Sequence, residues 1–350
     1  MLKNRAIVYA EGLYNCANGK TAHGLVRYSK RYNITCVVDS TLNEADAGII
    51  LDGKNRNIPL YNDLEKAFKL TSADTFIIGA VSEGGILPEG YDKAVEWALL
   101  HGLDVVSGLH YFISDDPRFI KISKEKKCNI IDVRKIFRDF KRFYTGEIKN
   151  VKSIRIAILG TDSAIGKRTL AVLLNEELKK RNKKSDMIYT GQTGWLQGWK
   201  HGIIIDATIN DFVAGGIEGA IIDSWKEDHP EFMIIEGQGS LVHPFFPGGF
   251  EILAAGKIDG FILVDAPKRP CLDGFPGYPM PDPRRVVKIA ELLTEKPLIG
   301  ISINRENMDE EDIKISKKKL TKIFNVPVVE PLSEGVCDLV DSLVKINEKK

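Results

Sequence analysis

The sequence predicts two α/β domains, residues 1–150 and residues 151–350, each built on a mostly parallel sheet with helices on both faces. Three observations predict this. Short apolar runs alternate with helix-spaced segments along the whole chain, the rhythm that parallel sheets produce. The run IRIAILGTDSAIGKRTL, residues 154–170, reads as a buried strand, a glycine-bounded loop and a helix. And 350 residues suggest two domains, at roughly 100–200 residues per domain.

In the first half, residues 6–10, 34–39, 47–51, 75–80, 104–107 and 128–132 read as strands. Residues 21–31 have helical spacing, with Leu25, Val26 and Tyr28 amid polar residues, and 91–101 form a helix between two strands. The arrangement is Rossmann-like. Gly12, Gly19 and Gly24 follow the first strand, but G-x-G-x-x-G is absent. Asp39, placed like a ribose-binding acid, therefore lacks its glycine fingerprint. Lys20, Thr21 and His23 open the first helix, where an anion can dock. The charged run FRDFKRFYTGEIKNV, residues 137–151, places the domain boundary near residue 150.

In the second half, strands are expected at 154–159, 186–190, 202–205, 232–235, 260–264, 297–303 and 326–329. Helices are expected after Gly166, Gly215, Pro283 and Glu334. Residues 244–283 are rich in Pro and Gly, with a strand between two loops. Such loops form substrate walls or lids, or a rigid connection around the sheet edge.

Composition narrows the function. With 43% hydrophobic and 28% charged residues the chain is ordinary for a soluble globular protein. A net charge of +1 argues against a nucleic-acid surface. No run approaches the ~18 apolar residues of a membrane helix. The start MLKNRAIVYAEG enters a strand directly and lacks a signal-peptide pattern, so a cytoplasmic protein is expected. Cys16, Cys36, Cys128, Cys271 and Cys337 are scattered without C-x-x-C, as expected of reduced thiols.

The chemistry centres on the loop after residue 159. The amides of Gly160, Thr161, Asp162, Ser163, Ala164, Ile165 and Gly166 would point at an anion, and the helix N-terminus adds partial positive charge. Lys167 would reach the outer phosphates. The loop is stretched: five residues, not four, separate the two glycines. Arg168 stands where Ser/Thr is expected, and Thr169 follows it. ATP with Mg²⁺ is the predicted ligand of Gly160 to Thr169, and Thr169, Asp206 and Glu236 are the predicted metal ligands. Glu236 ends the apolar FMIIE, and Gly237-Gln238-Gly239 then allows close approach of a ligand to the backbone. Asp206 ends GIIID. Asp211, in ATINDF, is a candidate metal-side or substrate-binding acid, with a helix N-cap as the competing explanation. Asn304 ends PLIGISIN and is placed to read the nucleotide base. Gln192 and Thr193, with Trp195, are candidate substrate contacts beside the γ-phosphate. Lys167, Glu236 and His243 are the candidate catalytic groups.

Two resemblances rest on these motifs. Gly160-Thr161-Asp162 and Glu236-Gly237-Gln238-Gly239 resemble the P-loop and acidic strand of dethiobiotin synthetase and the cobyrinic-acid amidating synthases. That resemblance implies the Mg²⁺ roles of Thr169, Asp206 and Glu236. Across nearly the whole chain, GKTAHGLVRY (19–28), GTDSAIGKRT (160–169), DATINDFVAG (206–215) and EGQGSLVHP (236–244) are similar to a two-domain family with a Rossmann-like N-terminal half and a P-loop C-terminal half. Some members of it are described as N-acetyltransferases acting on D-glutamate, which implies acetyl-CoA as donor. Three readings follow. One is an ATP- and Mg²⁺-dependent enzyme acting on a small carboxylate or amine. Another is an acetyl-CoA-dependent N-acetyltransferase, with His243 or Glu236 as base. The last is a nucleotide-binding regulator without turnover. A small-molecule substrate is expected, with no nucleic acid or membrane as partner, and the resemblance to P-loop synthetases implies a homo-oligomer.

Overall fold

In the computed structural model, which describes residues 4–347, the chain forms two compact units. One comprises residues 1–139 with 192–199, and the other comprises 140–191 with 200–350.

The first unit carries strands β1 (Asn4–Tyr9), β2 (Tyr32–Val38), β3 (Ala45–Asp46), β4 (Pro59–Tyr61), β5 (Thr75–Ile78), β6 (Asp104–Ser107) and β7 (Ile130–Asp132). Their order is β3-β4-β2-β1-β5-β6-β7, parallel except for the antiparallel edge strand β3. Counting only the parallel strands, the order is 3-2-1-4-5-6, the doubly wound order of dinucleotide-binding folds. Helices α1 (Lys20–Arg27), α2 (Ala47–Asp52), α3 (Leu64–Thr71), α4 (Tyr91–Leu100), α5 (Pro117–Lys126) and α6 (Val133–Arg138) connect them. Ile7, Cys36, Phe76 and Val105, from four adjacent strands, are fully buried in one core.

Residues 47–51, expected as a strand, are helix α2. Asp46 accepts from the Gly48 and Ile49 amides as N-cap, and Gly53, at φ 73°, ends the helix. A short apolar run has no period that separates helix from strand, so the caps decide. Asp39 is fully buried, and its carboxylate accepts from the amides of Gly12, Tyr14 and Thr41 and from the Thr41 hydroxyl. It ties down the loop after β1 and has no oxygen turned to a ribose.

Helix α8 (Gln192–Gln197) completes this first unit from distant sequence. Gln192 Nε2 donates to Thr21 Oγ1 at 2.6 Å, and the Thr21 and Thr193 hydroxyls lie 3.3 Å apart. The Arg31 guanidinium stacks 3.9 Å from the Trp195 ring centroid while its Nε donates to the Trp195 carbonyl. Gln192 and Thr193, expected as substrate contacts, thus hold α8 to α1.

The second unit carries β8 (Ile154–Gly160), β9 (Ser185–Ile188), β10 (Phe232–Ile235), β11 (Gly260–Asp265), β14 (Leu298–Ile303) and β15 (Val328–Val329), with the small hairpin β12 (Cys271–Leu272) and β13 (Phe275–Pro279) beside them. The six-stranded sheet has the order β15-β14-β11-β8-β10-β9 and is parallel throughout. Its chain order reverses at β8, so a crevice opens beyond that strand's carboxyl end. Helices α7 (Lys167–Lys180), α9 (Asn210–Asp228), α10 (Gly249–Ala255), α11 (Pro283–Thr294), α12 (Glu310–Phe324) and α13 (Cys337–Asn347) cover it.

Residues 202–205 are not a strand: only a bridge joins Tyr189 to Gly202, and the chain turns at Ile205–Ala207. Helix α9 begins at Asn210 rather than after Gly215, because that glycine is a packing position inside it. A Cβ at Gly215 would lie 2.0 Å from the Arg142 carbonyl oxygen. Helix α12, in a stretch without a predicted element, is announced by a capping box between Asp309 and Asp312. Among the described residues, no helix is long and apolar enough to cross a membrane.

Candidate functional site

The loop between β8 and α7 sits at the sheet's reversal point, its strand fully buried between β10 and β11. Gly166, at φ 99°, makes the turn into α7, and Ala164, at φ 50°, takes a left-handed turn before it. Gly160 and Gly237 have no room for a side chain. A Cβ at Gly160 would press on Ile165 and Lys167, and one at Gly237 would lie 1.6 Å from the Ile158 carbonyl oxygen. The Lys167 side chain fills the space between these glycines. Its buried Nζ donates to the Asp162 carbonyl at 2.6 Å, folded against the loop it serves.

Thr161, Asp162 and Ser163 are braced from outside the loop. Thr161 donates its hydroxyl to Asp265 Oδ1 at 2.8 Å, and its amide bonds the Val264 carbonyl. Burial pushes the Asp265 carboxyl above the usual range, and the Thr161 hydroxyl works against that rise. The fully buried Asp162 accepts from the Ser163 amide at 2.7 Å, from Arg269 Nη1 at 2.8 Å and from the Asp273 amide at 2.9 Å. Arg269 also binds the Ser163 carbonyl and Glu306; burial works to lower its pKa, but Glu306 and Asp162 hold it above the ordinary value. Ser163 donates its hydroxyl to Asp273. The loop is thus preorganised, with its internal carboxylate neutralised by Arg269.

Asn304 and His243 prove to be braces too. Asn304 Nδ2 donates to the Ile165 carbonyl at 3.0 Å, and its Oδ1 accepts from the Glu306 amide at 2.9 Å, so both ends of the amide are engaged. His243 Nδ1 accepts from the amides of Phe245 and Phe246, each at 3.1 Å. The proton therefore sits on Nε2, which faces the Asp273 carbonyl at 3.3 Å and Asp162 Oδ1 at 3.5 Å. The ring thus joins the loop after β10 to Asp162 and Asp273.

Glu236, at the end of β10, is buried and doubly held. Its Oε1 accepts from Arg168 Nε at 2.7 Å and its Oε2 from the Thr190 amide at 3.0 Å. A Cβ at Gly191 would lie 3.7 Å from both Arg168 Nη2 and Gln238 Oε1 and 4.0 Å from Glu236 Oε1, so three polar groups converge there. The other expected metal ligands are differently placed. Thr169 is half-buried on α7, and Asp206 is exposed in the turn Ile205–Ala207. Asp211 is in the first turn of α9, exposed, with Ile209 rather than Asp211 at the N-cap.

The Pro/Gly-rich stretch forms an aromatic patch against the braces. Phe245 and Phe246 pack edge-on at 4.6 Å, and Phe275 lies 5.3 Å from His243 and 5.8 Å from Tyr278. Phe245 and Tyr278 are 62% and 56% exposed. Sequence reading missed Arg269, Asp273 and Asp265. The signal was available in PKRPCLDG, where three charged residues sit within a Pro/Gly-rich run beside an apolar strand.

A Rossmann-order unit joined to a unit with a strand–cradle–helix at its reversal point defines a two-domain P-loop protein. Residues 142–340 match the family described as "Domain of unknown function (DUF1611_C) P-loop domain", and residues 40–136 match its N-terminal partner, the "DUF1611_N Rossmann-like domain". The chain belongs to this DUF1611 family. It is 30% identical over 304 residues to a protein of Tritonibacter scottomollicae named D-glutamate N-acetyltransferase, covering 85% of this chain and 89% of that one. A protein of a Pseudoalteromonas species with the same name is 31% identical over 277 residues, covering 77% and 81%. The crystal structure of a DUF1611 family protein from Anabaena variabilis superposes with a TM-score of 0.89 at 25% identity, covering 98% and 99%.

Proposed function

We propose that the protein is an acetyl-CoA-dependent N-acetyltransferase acting on an acidic D-amino acid such as D-glutamate. The observation that carries this reading is the pairing of a braced phosphate cradle with an exposed aromatic patch. The cradle of Gly160 to Lys167 suits the phosphates of CoA, and Phe245 and Tyr278 offer faces on which its adenine can stack. The names of the two bacterial relatives support the same reaction.

In the transfer, the substrate amine attacks the thioester carbonyl, the C–S bond breaks, and CoA leaves as a thiolate. The proton lost by the amine ends on that thiol. Glu236 is the residue we assign to carry it, with His243 as the alternative base.

The test is calorimetric titration of the protein with acetyl-CoA and separately with Mg-ATP, alongside mass spectrometry of a reaction with D-glutamate. Saturable acetyl-CoA binding and N-acetylglutamate without nucleotide are the expected results. The P-loop itself favours a second reading, a nucleotide-dependent enzyme. Mg-ATP binding without acetyl-CoA binding would put that one first.

A further inference from the structure

We infer that the cradle takes its anion without a divalent cation, Arg168 occupying the role that a metal and its hydroxyl ligand play in other P-loops. The inference deepens the acetyl-CoA reading and rests on it for the ligand's identity: the anion would be a free diphosphate such as that of CoA, not a metal-chelated triphosphate.

The cation expected at this site needs a hydroxyl directly after the cradle lysine and an open carboxylate on the neighbouring strand end. Neither is present. The residue after Lys167 is Arg168, and its guanidinium lies 2.7 Å from the carboxylate that would hold the metal. Glu236 is 2% exposed and Arg168 is 24% exposed, so the pair is shielded from solvent on the carboxylate side and open on the guanidinium side. The second Glu236 oxygen already accepts from the Thr190 amide. A dication there would have to displace a buried charge partner and face its repulsion. Asp206, the other expected ligand, is itself solvent-exposed in the turn Ile205–Ala207, unlike the buried Glu236.

Arg168 can instead serve the anion directly. Only its Nε is committed to Glu236, while Nη2 lies near the converging point at Gly191 together with Gln238. A guanidinium presents fork-shaped donors that match phosphate oxygens, and it carries its charge at every working pH. Lys167 and Arg168 are adjacent cations, and with the loop amides they offset a diphosphate's charge without a metal.

The experiment uses the full chain and three probes: CoA, inorganic pyrophosphate and Mn²⁺. CoA and pyrophosphate are titrated calorimetrically in EDTA and again in Mg²⁺. Mn²⁺ is followed by its spin resonance signal, with and without CoA. The expected result is a CoA dissociation constant that differs by less than about twofold between EDTA and Mg²⁺, and no saturable Mn²⁺ site. In Arg168→Ser, which restores a hydroxyl and frees Glu236, Mn²⁺ binding should appear and should vanish in Arg168→Ser/Glu236→Gln. Anion binding that is lost in EDTA and restored by Mg²⁺, or a wild-type Mn²⁺ site removed by Glu236→Gln, overturns the inference. So does failure of both anions to bind in EDTA. Pyrophosphate binding in EDTA without CoA binding would refute the acetyl-CoA reading and leave the metal-free cradle standing. CoA binding only with Mg²⁺ would do the reverse. The wild-type measurements decide the question even if the serine variant fails to fold.

Discussion

Lys167 illustrates how a single side chain is readied for an anion. Its buried ammonium donates to the Asp162 carbonyl inside the loop proposed to take the phosphates, and a charge-assisted hydrogen bond to an anion is stronger than one between neutral groups. Lys167→Ala is expected to weaken CoA binding by about ten- to a hundredfold, or ~1.4–3 kcal/mol, measured by calorimetry. Glu236→Gln keeps the shape of the site and removes the proton acceptor. We expect kcat to fall by about 10²–10⁴ with little change in CoA affinity. Equal activity of the glutamine variant would remove Glu236 from the mechanism. Asn304 and His243 show where reading from sequence stops. Both lie in the right neighbourhood, but residue type cannot reveal that Asn304 bonds Ile165 and Glu306 or that His243 accepts from Phe245 and Phe246. Ile165 lies 139 positions from Asn304 in the chain, and no local pattern records that contact.

At the scale of elements, the glycines of α9 are contact positions. Gly215 replaced by alanine gains ~1 kcal/mol of helix propensity. Against this, the new methyl group would meet the Arg142 carbonyl at 2.0 Å, and overpacking against backbone costs ~1–3 kcal/mol. We expect a net loss of stability, read as a lower urea midpoint. His201 offers a pH test. Its Nδ1 is 2.6 Å from Asp186 on β9 and its Nε2 is 3.2 Å from Glu227 on α9. Burial works against the imidazolium, but the two carboxylates outweigh it and raise the pKa above the ordinary 6.5. The pair's stabilisation is therefore complete below the unfolded value and is lost as pH rises through the higher folded one. His201→Asn should lower Tm clearly at about pH 6 and by much less at about pH 9. A gap constant with pH would assign His201 to packing alone.

For the whole molecule, the first unit is assembled from two separated stretches of chain. Residues 192–199 bring Trp195 under Arg31 and Gln197 to the Gly24 carbonyl. Trp195→Ala in the full chain removes the stacked ring and should raise amide exchange in α1 by about ten- to a hundredfold, leaving α7 and β8 unchanged. A uniform increase across both units would show that the segment has no local role.

The sequence by itself determined the alternating architecture, two α/β units, the cradle of Gly160 to Lys167 and the acid at the end of β10. Each is written locally, in buried apolar runs, glycines and the residues bounding them. Tertiary structure alone decided the rest. Helix α8 was drawn into the first unit by Thr21, Gly24 and Arg31. Arg168, which reads only as a misplaced residue, found Glu236 across 68 positions of sequence. The physical reason is the same in each case. Burial and hydrogen-bond satisfaction depend on neighbours that the fold supplies, and no spacing along the chain records which neighbours those will be.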